Sequence, residues 1–228
     1  ADFSSLIARY PGSELVDDAT YFIGDSYYNL GKYDEAIVYY KKVIDNYPHS
    51  DLVDDAVTGM QQAMMQKGDS QGAMDAIDQL VQNLDDKDKA AEILMRRAEF
   101  AQNMQQFDEA ISQYNQILTE YPQSESAKNV NFYIGTTYLS MNDREAAMAA
   151  FAKQWTAYPE ASATSDALLK AGDLMLEQKA FKPAIDFYQR IVKDYPKSPN
   201  KGEASYKIGI AHLEAGDYEN AQTYFVNV

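Results

Sequence analysis

The 228-residue sequence has no cysteine, a single tryptophan, two histidines, and only 20 Lys and Arg against 35 Asp and Glu. Without cysteine there is neither a disulfide nor a thiolate metal site, an absence that names no compartment. His49 and His212 lie far apart, and neither has a partner at metal-ligand spacing. No Gly-x-Ser-x-Gly elbow, phosphate loop or His-Glu-x-x-His stretch occurs, and no isolated carboxylate pair stands in an apolar setting that would raise one pKa. Enzyme activity, a cofactor and a metal are therefore not expected. Apolar residues make up 46% of the chain, enough for a core. No apolar run approaches the ~18 residues that a membrane helix needs. The net charge of −15 argues against binding a phosphate backbone or an anionic lipid surface. It favours a basic or neutral partner, and it also serves simply to keep a long exposed surface soluble.

What the chain does have is a period. Ala36, Ala73, Ala110, Ala147, Ala184 and Ala221 follow one another at intervals of 37 residues. Tyr-Pro pairs keep the same beat at Tyr10-Pro11, Tyr47-Pro48, Tyr121-Pro122, Tyr158-Pro159 and Tyr195-Pro196; Leu84-Asp85 stands where one more would fall. A fixed period in the range of about 20–50 residues means stacked supersecondary units rather than one folded core. In the copy from Ser13 to Tyr47, Ser13 is placed to cap a helix with Glu14 and Asp17 in its first turn. Ala19, Ile23, Tyr27 and Leu30 form its apolar stripe, and Gly24 on that stripe lets a neighbouring helix come close. Gly31 ends this helix as a left-handed C-terminal glycine. A second helix begins near Tyr33, carries the stripe Ala36, Ile37, Tyr40, Val43 and Ile44, and stops before Pro48. The unit is an antiparallel helical hairpin, and the small alanine marks where its helices cross. The array divides as the end of a preceding repeat at 1–12, repeats at 13–49, 50–86, 87–123, 124–160 and 161–197, and a truncated repeat at 198–228. The chain reads as one solenoid from 1 to 228 and as a piece of a longer array.

These residues resemble the tetratricopeptide repeat: Ile23-Gly24, Tyr27, Ala36, Tyr40, Pro48, then Ile134-Gly135, Tyr138, Ala147, Phe151, Pro159, and Ile208-Gly209, His212, Ala221, Phe225. The resemblance covers essentially the whole chain and implies an all-α, right-handed superhelix of antiparallel helix pairs. The period exceeds the family's usual ~34 residues, while the Gly24–Ala36 and Ala36–Pro48 spacings are the family's own. The three additional residues must therefore lie after each proline. The Tyr-Pro-x-Ser junctions are similar to those of bacterial cell-envelope members, the outer-membrane-assembly lipoproteins and the Tol-Pal coordinator. That likeness favours the periplasm or outer membrane and leaves the cytoplasm open.

The family resemblance implies that first helices line a concave groove for a protein or peptide partner. Carried over, the groove is Asp18, Tyr21, Asp25 and Tyr28; Asp55, Thr58, Gln62 and Met65; Glu92, Met95, Glu99 and Gln102; Asn129, Phe132, Thr136 and Leu139; Asp166, Leu169, Asp173 and Leu176; Glu203, Tyr206, Ile210 and Leu213. This face is apolar and acidic, without Lys or Arg. Tyr21, Thr58, Met95, Phe132, Leu169 and Tyr206 stand where chaperone-tail-binding members carry the lysines of a carboxylate clamp, so that mode is excluded. A groove accepting an apolar or basic segment is one expectation; self-packing of Phe132, Leu169 and Tyr206 is the other. Trp155 falls where Ile44, Leu118 and Val192 fall and reads as core, and His212 replaces a core tyrosine. The charged run Asp85 to Lys89 predicts the array's weak point at 84–91. Tyr218, Ala221, Tyr224 and Phe225 at an uncapped end predict end-to-end association. Two further expectations are a structural, self-associating role and membership of a larger protein whose activity lies elsewhere.

Overall fold

The computed structural model describes residues 3–84 and 86–226, apart from the side chains of Ser4, Ser70, Gln71, Ala73, Met74, Ala76, Gln79 and Asn83. Among the described residues there are thirteen helices and no strand: α1 (Phe3–Arg9), α2 (Val16–Asn29), α3 (Tyr33–Asn46), α4 (Val53–Gln66), α5 (Ser70–Asn83), α6 (Lys87–Asn103), α7 (Phe107–Glu120), α8 (Ala127–Ser140), α9 (Arg144–Ala157), α10 (Thr164–Glu177), α11 (Phe181–Asp194), α12 (Asn200–Glu214) and α13 (Tyr218–Val226). Two helices fall in every predicted repeat. The chain forms two compact units, Ala1–Arg97 and Ala98–Val228, divided within α6. Asp85, within the predicted weak point, lies outside the described residues.

In each unit helices pack on their chain neighbours, and first helices also touch one another: α2 on α4 in the first unit, and α8 on α10 on α12 in the second. Ala36, Ala110, Ala147 and Ala184 are completely buried and Ala221 nearly so. Ala73 is among the side chains not described. The reason for glycine in the first helix is visible at Gly172, where an added Cβ would stand 2.3 Å from the ring of Tyr188. The second helix lays its aromatic directly on the first helix's backbone, which only glycine permits. Gly135 meets Phe151, and Gly209 meets Phe225, in the same way.

Gly31 has φ 70° and closes α2 as expected, its N–H bonding to the Tyr28 carbonyl and that of Lys32 to Tyr27. The same left-handed turn recurs at Gly68, Gln105, Asn142, Lys179 and Gly216, one per repeat. Three of these are ordinary L-residues, each bearing the cost of a positive φ.

Ser13 does something other than cap α2. Its N–H returns to the Tyr10 carbonyl, its own carbonyl accepts the N–H of Val16, and its hydroxyl accepts that of Leu15. The helix starts only at Val16, with Asp17 and Asp18 in its first turn. Ser50 and Ser198 turn the chain in the same two steps. The three residues beyond the family's period form this second turn, after each proline, as the spacing requires. Leu30 is a further departure. It is 70% exposed at the helix end, one step past the buried stripe.

The irregular junction is built differently. Asp86 accepts the N–H groups of Asp88 and Lys89, both at 3.0 Å, on its side chain at the start of α6.

Candidate interaction face

In the second unit the face is carried by α8, α10 and α12. Tyr206 and Leu213 are 51% and 43% exposed. Phe132, Leu139, Asp173 and Leu176 are half-buried. Leu169 meets the self-packing expectation rather than the groove one: at 7% exposure it belongs to the cluster of Leu168, Ala184, Tyr188, Ile191, Ala204 and Ile208, and supports the face from beneath. Phe132 is likewise partly engaged, its ring centroid 6.1 Å from that of Phe151 and 5.4 Å from that of Tyr133. Completely buried Gln154 fixes that turn of α8. Its side-chain oxygen accepts the Phe132 N–H at 3.2 Å, and its amide donates to the Lys128 carbonyl at 2.7 Å. Sequence reasoning missed it, although Gln154 interrupts a position occupied by Val43, Ile117 and Ile191.

Electrostatics concentrate where α10 meets α12. One carboxylate oxygen of Asp173 accepts the Tyr188 hydroxyl at 2.8 Å and the Lys207 ammonium at 2.7 Å, and Lys207 also reaches Glu203 at 2.9 Å. Burial alone would lower the Lys207 pKa, but its bonds to Asp173 and Glu203 outweigh that and raise it. Burial, reinforced by the Asp173 bond, pushes the Tyr188 phenol well above its ordinary value. Asp173, Leu176, Glu177, Lys179, Lys207 and Glu214 line a shallow cleft of about 470 Å³. This corrects the expectation of a face without cations. The carried-over positions hold none, but Lys207, next to Tyr206, reaches the carboxylate of the preceding first helix.

In the first unit, Asp18, Tyr21, Asp25 and Tyr28 on α2 are all half-buried, as are Thr58 and Met65 on α4 and Met95 on α6. Tyr21 packs on Tyr40 and Phe22 at 5.7 and 5.4 Å, and Tyr28 on Tyr33 at 5.6 Å. Burial raises the Tyr21 pKa, and the nearby Asp55 and Asp25 charges raise it further. The Thr58 hydroxyl bonds the Asp54 carbonyl at 3.0 Å. Beside this face stands a charged cluster that the periodicity did not announce. Asp54, 5% exposed, is met by Lys89 at 2.7 Å and Arg96 at 3.2 Å, while buried Arg97 pairs with Asp78. Arg97 stands two repeats on from Ile23, in the same place, and this pairing lets a guanidinium sit there. Glu99, the remaining candidate, lies at the start of the second unit and helps raise the pKa values of Tyr114 and Tyr133, in both cases after burial.

Two aromatics read as core behave so. Trp155 is half-buried and packs against two hydrophobic clusters of the second unit, 5.4 Å from Phe187 and beneath Arg190. His212 stacks on Tyr224 at 5.8 Å and its Nδ1 lies 3.1 Å from an Asp217 carboxylate oxygen. No group of metal-binding residues, and no helix long and apolar enough to cross a membrane, occurs among the described residues.

Comparison with known proteins gives no match to any curated protein sequence. Among solved structures, the C-terminal part of a TPR repeat-containing protein from Cytophaga hutchinsonii aligns with a TM-score of 0.62 and 17% identity, over 99% of this chain and 86% of that one. BtubC from P. vanneervenii aligns with a TM-score of 0.57 and 12% identity, over 91% and 86%. PilF from Pseudomonas aeruginosa aligns with a TM-score of 0.53 and 17% identity, over 92% and 89%. At these identities the likeness is one of fold. Tetratricopeptide repeat models match residues 18–50, 92–124, 166–198 and 203–228. With its repeating hairpins, its glycine–aromatic crossings and these matches, the chain belongs to the tetratricopeptide repeat family, whose arrays generally serve as protein-interaction scaffolds.

Proposed function

We propose that the chain is a non-enzymatic scaffold whose α8–α10–α12 face binds an apolar partner segment carrying basic residues. The observation that carries this reading is the exposure of Tyr206 and Leu213 beside the acidic cleft of Asp173, Glu177 and Glu214. Exposed apolar side chains on a folded helix supply desolvation energy to a partner, and the surrounding carboxylates select against an acidic one. Lys207 occupies the Asp173 oxygen in the free protein, so an incoming cation exchanges partners there rather than meeting an unpaired charge. Asp18, Tyr21, Asp25 and Tyr28, with Thr58, Met65 and Met95, offer a second face of the same chemistry on the first unit. The Tyr-Pro-x-Ser junctions support placing the scaffold in a bacterial envelope assembly.

Random-peptide display tests this reading, with counter-selection on a Tyr206→Glu/Leu213→Glu variant. Both side chains are about half exposed and Tyr206 also packs on Phe225 at 5.7 Å, so helical circular dichroism checks that the variant keeps its fold. Enriched peptides are expected to combine apolar residues with Lys or Arg and to lose binding to the variant. Enrichment of acidic peptides, or equal retention by the variant, overturns it. A second reading, self-association, is supported by the exposure of Tyr218 and Val226 on α13, at 70% and 77%. Concentration-dependent light scattering that disappears in Tyr218→Glu would establish it.

A further inference from the structure

The first unit contains a cleft of about 730 Å³ between its α3–α4 and α5–α6 junctions, within the range that holds small ligands. Ile44, Leu80, Leu84 and Pro48 form its apolar part, and Asp45 and Asp51 stand at its edge. Its position in the repeat explains it. In the second unit the Tyr195 hydroxyl donates to the carbonyl of Pro159 at 2.8 Å, so the tyrosine of this Tyr-Pro junction reaches the backbone of the junction before it. Tyr195 and Pro159 are 36 residues apart, and so are Leu84 and Pro48. Leu84 stands where that tyrosine would be, and both it and Pro48 line the cleft. The leucine has no hydroxyl and no ring to fill the seat.

We propose that this cleft is a binding site for a tyrosine side chain of a partner protein. The ring lies against Ile44, Leu80 and Leu84, and its hydroxyl donates to the Pro48 carbonyl as Tyr195 donates to Pro159. Asp45 and Asp51, both exposed, engage a Lys or Arg flanking the tyrosine. Lys89, which also lines the cleft, is drawn towards Asp54 and leaves the rim acidic. A phenol rather than a plain benzene ring is specified because Tyr195, at the equivalent position of the second unit, makes a hydrogen bond there. The site uses none of the residues of the α8–α10–α12 face.

The probe is acetyl-Lys-Tyr-Lys-amide, titrated into the whole chain while the backbone amide resonances of Leu80 and Leu84 are followed by NMR. Saturable shifts are expected. Replacing the peptide's tyrosine by phenylalanine should weaken binding about five-fold, the worth of one hydrogen bond. Leu84→Tyr fills the seat from within and should abolish the shifts. Asp45→Asn/Asp51→Asn, a surface change that leaves the core intact, should weaken binding about three-fold. The proposal is overturned if wild type shows no saturable shift, if the tyrosine and phenylalanine peptides bind equally, or if Leu84→Tyr binds as wild type does. It is also overturned if Tyr206→Glu/Leu213→Glu loses the peptide, which would place binding on the other face.

Discussion

The two units differ in the chemistry of the junctions between successive repeats. In the second unit the bonds made at the Tyr-Pro junctions are neutral: Tyr195 to the Pro159 carbonyl, the hydroxyls of Ser198 and Ser165 to each other, and Asn129 to the Ser162 hydroxyl and the Ala163 N–H; its ion pairs between repeats, Lys207 on Asp173 and Arg144 on Glu177, lie away from those junctions. In the first, the joint that lacks Tyr-Pro is ionic, with Lys89 and Arg96 converging on buried Asp54 and Arg97 on Asp78. A neutral bond contributes a modest amount and its loss costs about as much; a buried charge is stabilising only while its partners remain. Degeneration of a repeat motif therefore need not weaken the joint, but it changes what the joint is sensitive to.

Alkali should give the largest effect and bear hardest on the second unit. Burial, with the nearby Asp25 charge, holds the Tyr40 phenol neutral in the first unit; in the second, burial does the same for Tyr114, helped by Glu99, and for Tyr188, helped by Asp173. These pKa values are raised in the folded state. Their contribution is therefore complete below the unfolded value near 10 and is lost as pH rises beyond it. A subset of the 18 tyrosines should ionise only together with loss of helical circular dichroism. Full titration near pH ~10 with the helix signal intact would contradict this. Next comes Lys89→Met/Arg96→Met, which strands the Asp54 carboxylate and should cost about 3 kcal/mol in chemical denaturation. Adding Asp54→Asn should recover most of that loss, and failure to recover would show that packing, not charge, holds the joint. Gly172→Ala should cost about 2 kcal/mol, because the ring of Tyr188 has no room to retreat and this outweighs the better helix propensity of alanine. The smallest change, Tyr195→Phe, should cost about 1 kcal/mol. Equal stability of that variant would mean that the neutral joints owe little to their hydrogen bonds.

The period carried most of the fold. It located both helices of each repeat, the buried alanines, the turn at Gly31 and the place of the three residues beyond the family's spacing, because each depends on contacts within one hairpin. It failed where a side chain reaches another helix. Lys207 on Asp173, Lys89 on Asp54 and Gln154 on Lys128 join residues 26 to 35 positions apart, and no helical stripe encodes the reach of a long side chain. Leu169 was left between two readings for a related reason, since its side lies at the margin between face and core and only the packing of α10 on α12 decides. Of the face itself, Tyr206 and Leu213 were legible as exposed positions, whereas the cation beside them was not.

The left-handed turns have a practical side. Gln105, Asn142 and Lys179 sit in one backbone conformation, one repeat apart, and all three side chains are exposed. Each already tolerates a Cβ at positive φ, so a cysteine placed there adds little strain. Because the native chain has no thiol to compete, these positions can take spin labels or fluorophores in pairs with no background to remove. The second unit thus carries equally spaced attachment points from which the spacing of its repeats can be measured in solution, with and without a bound peptide.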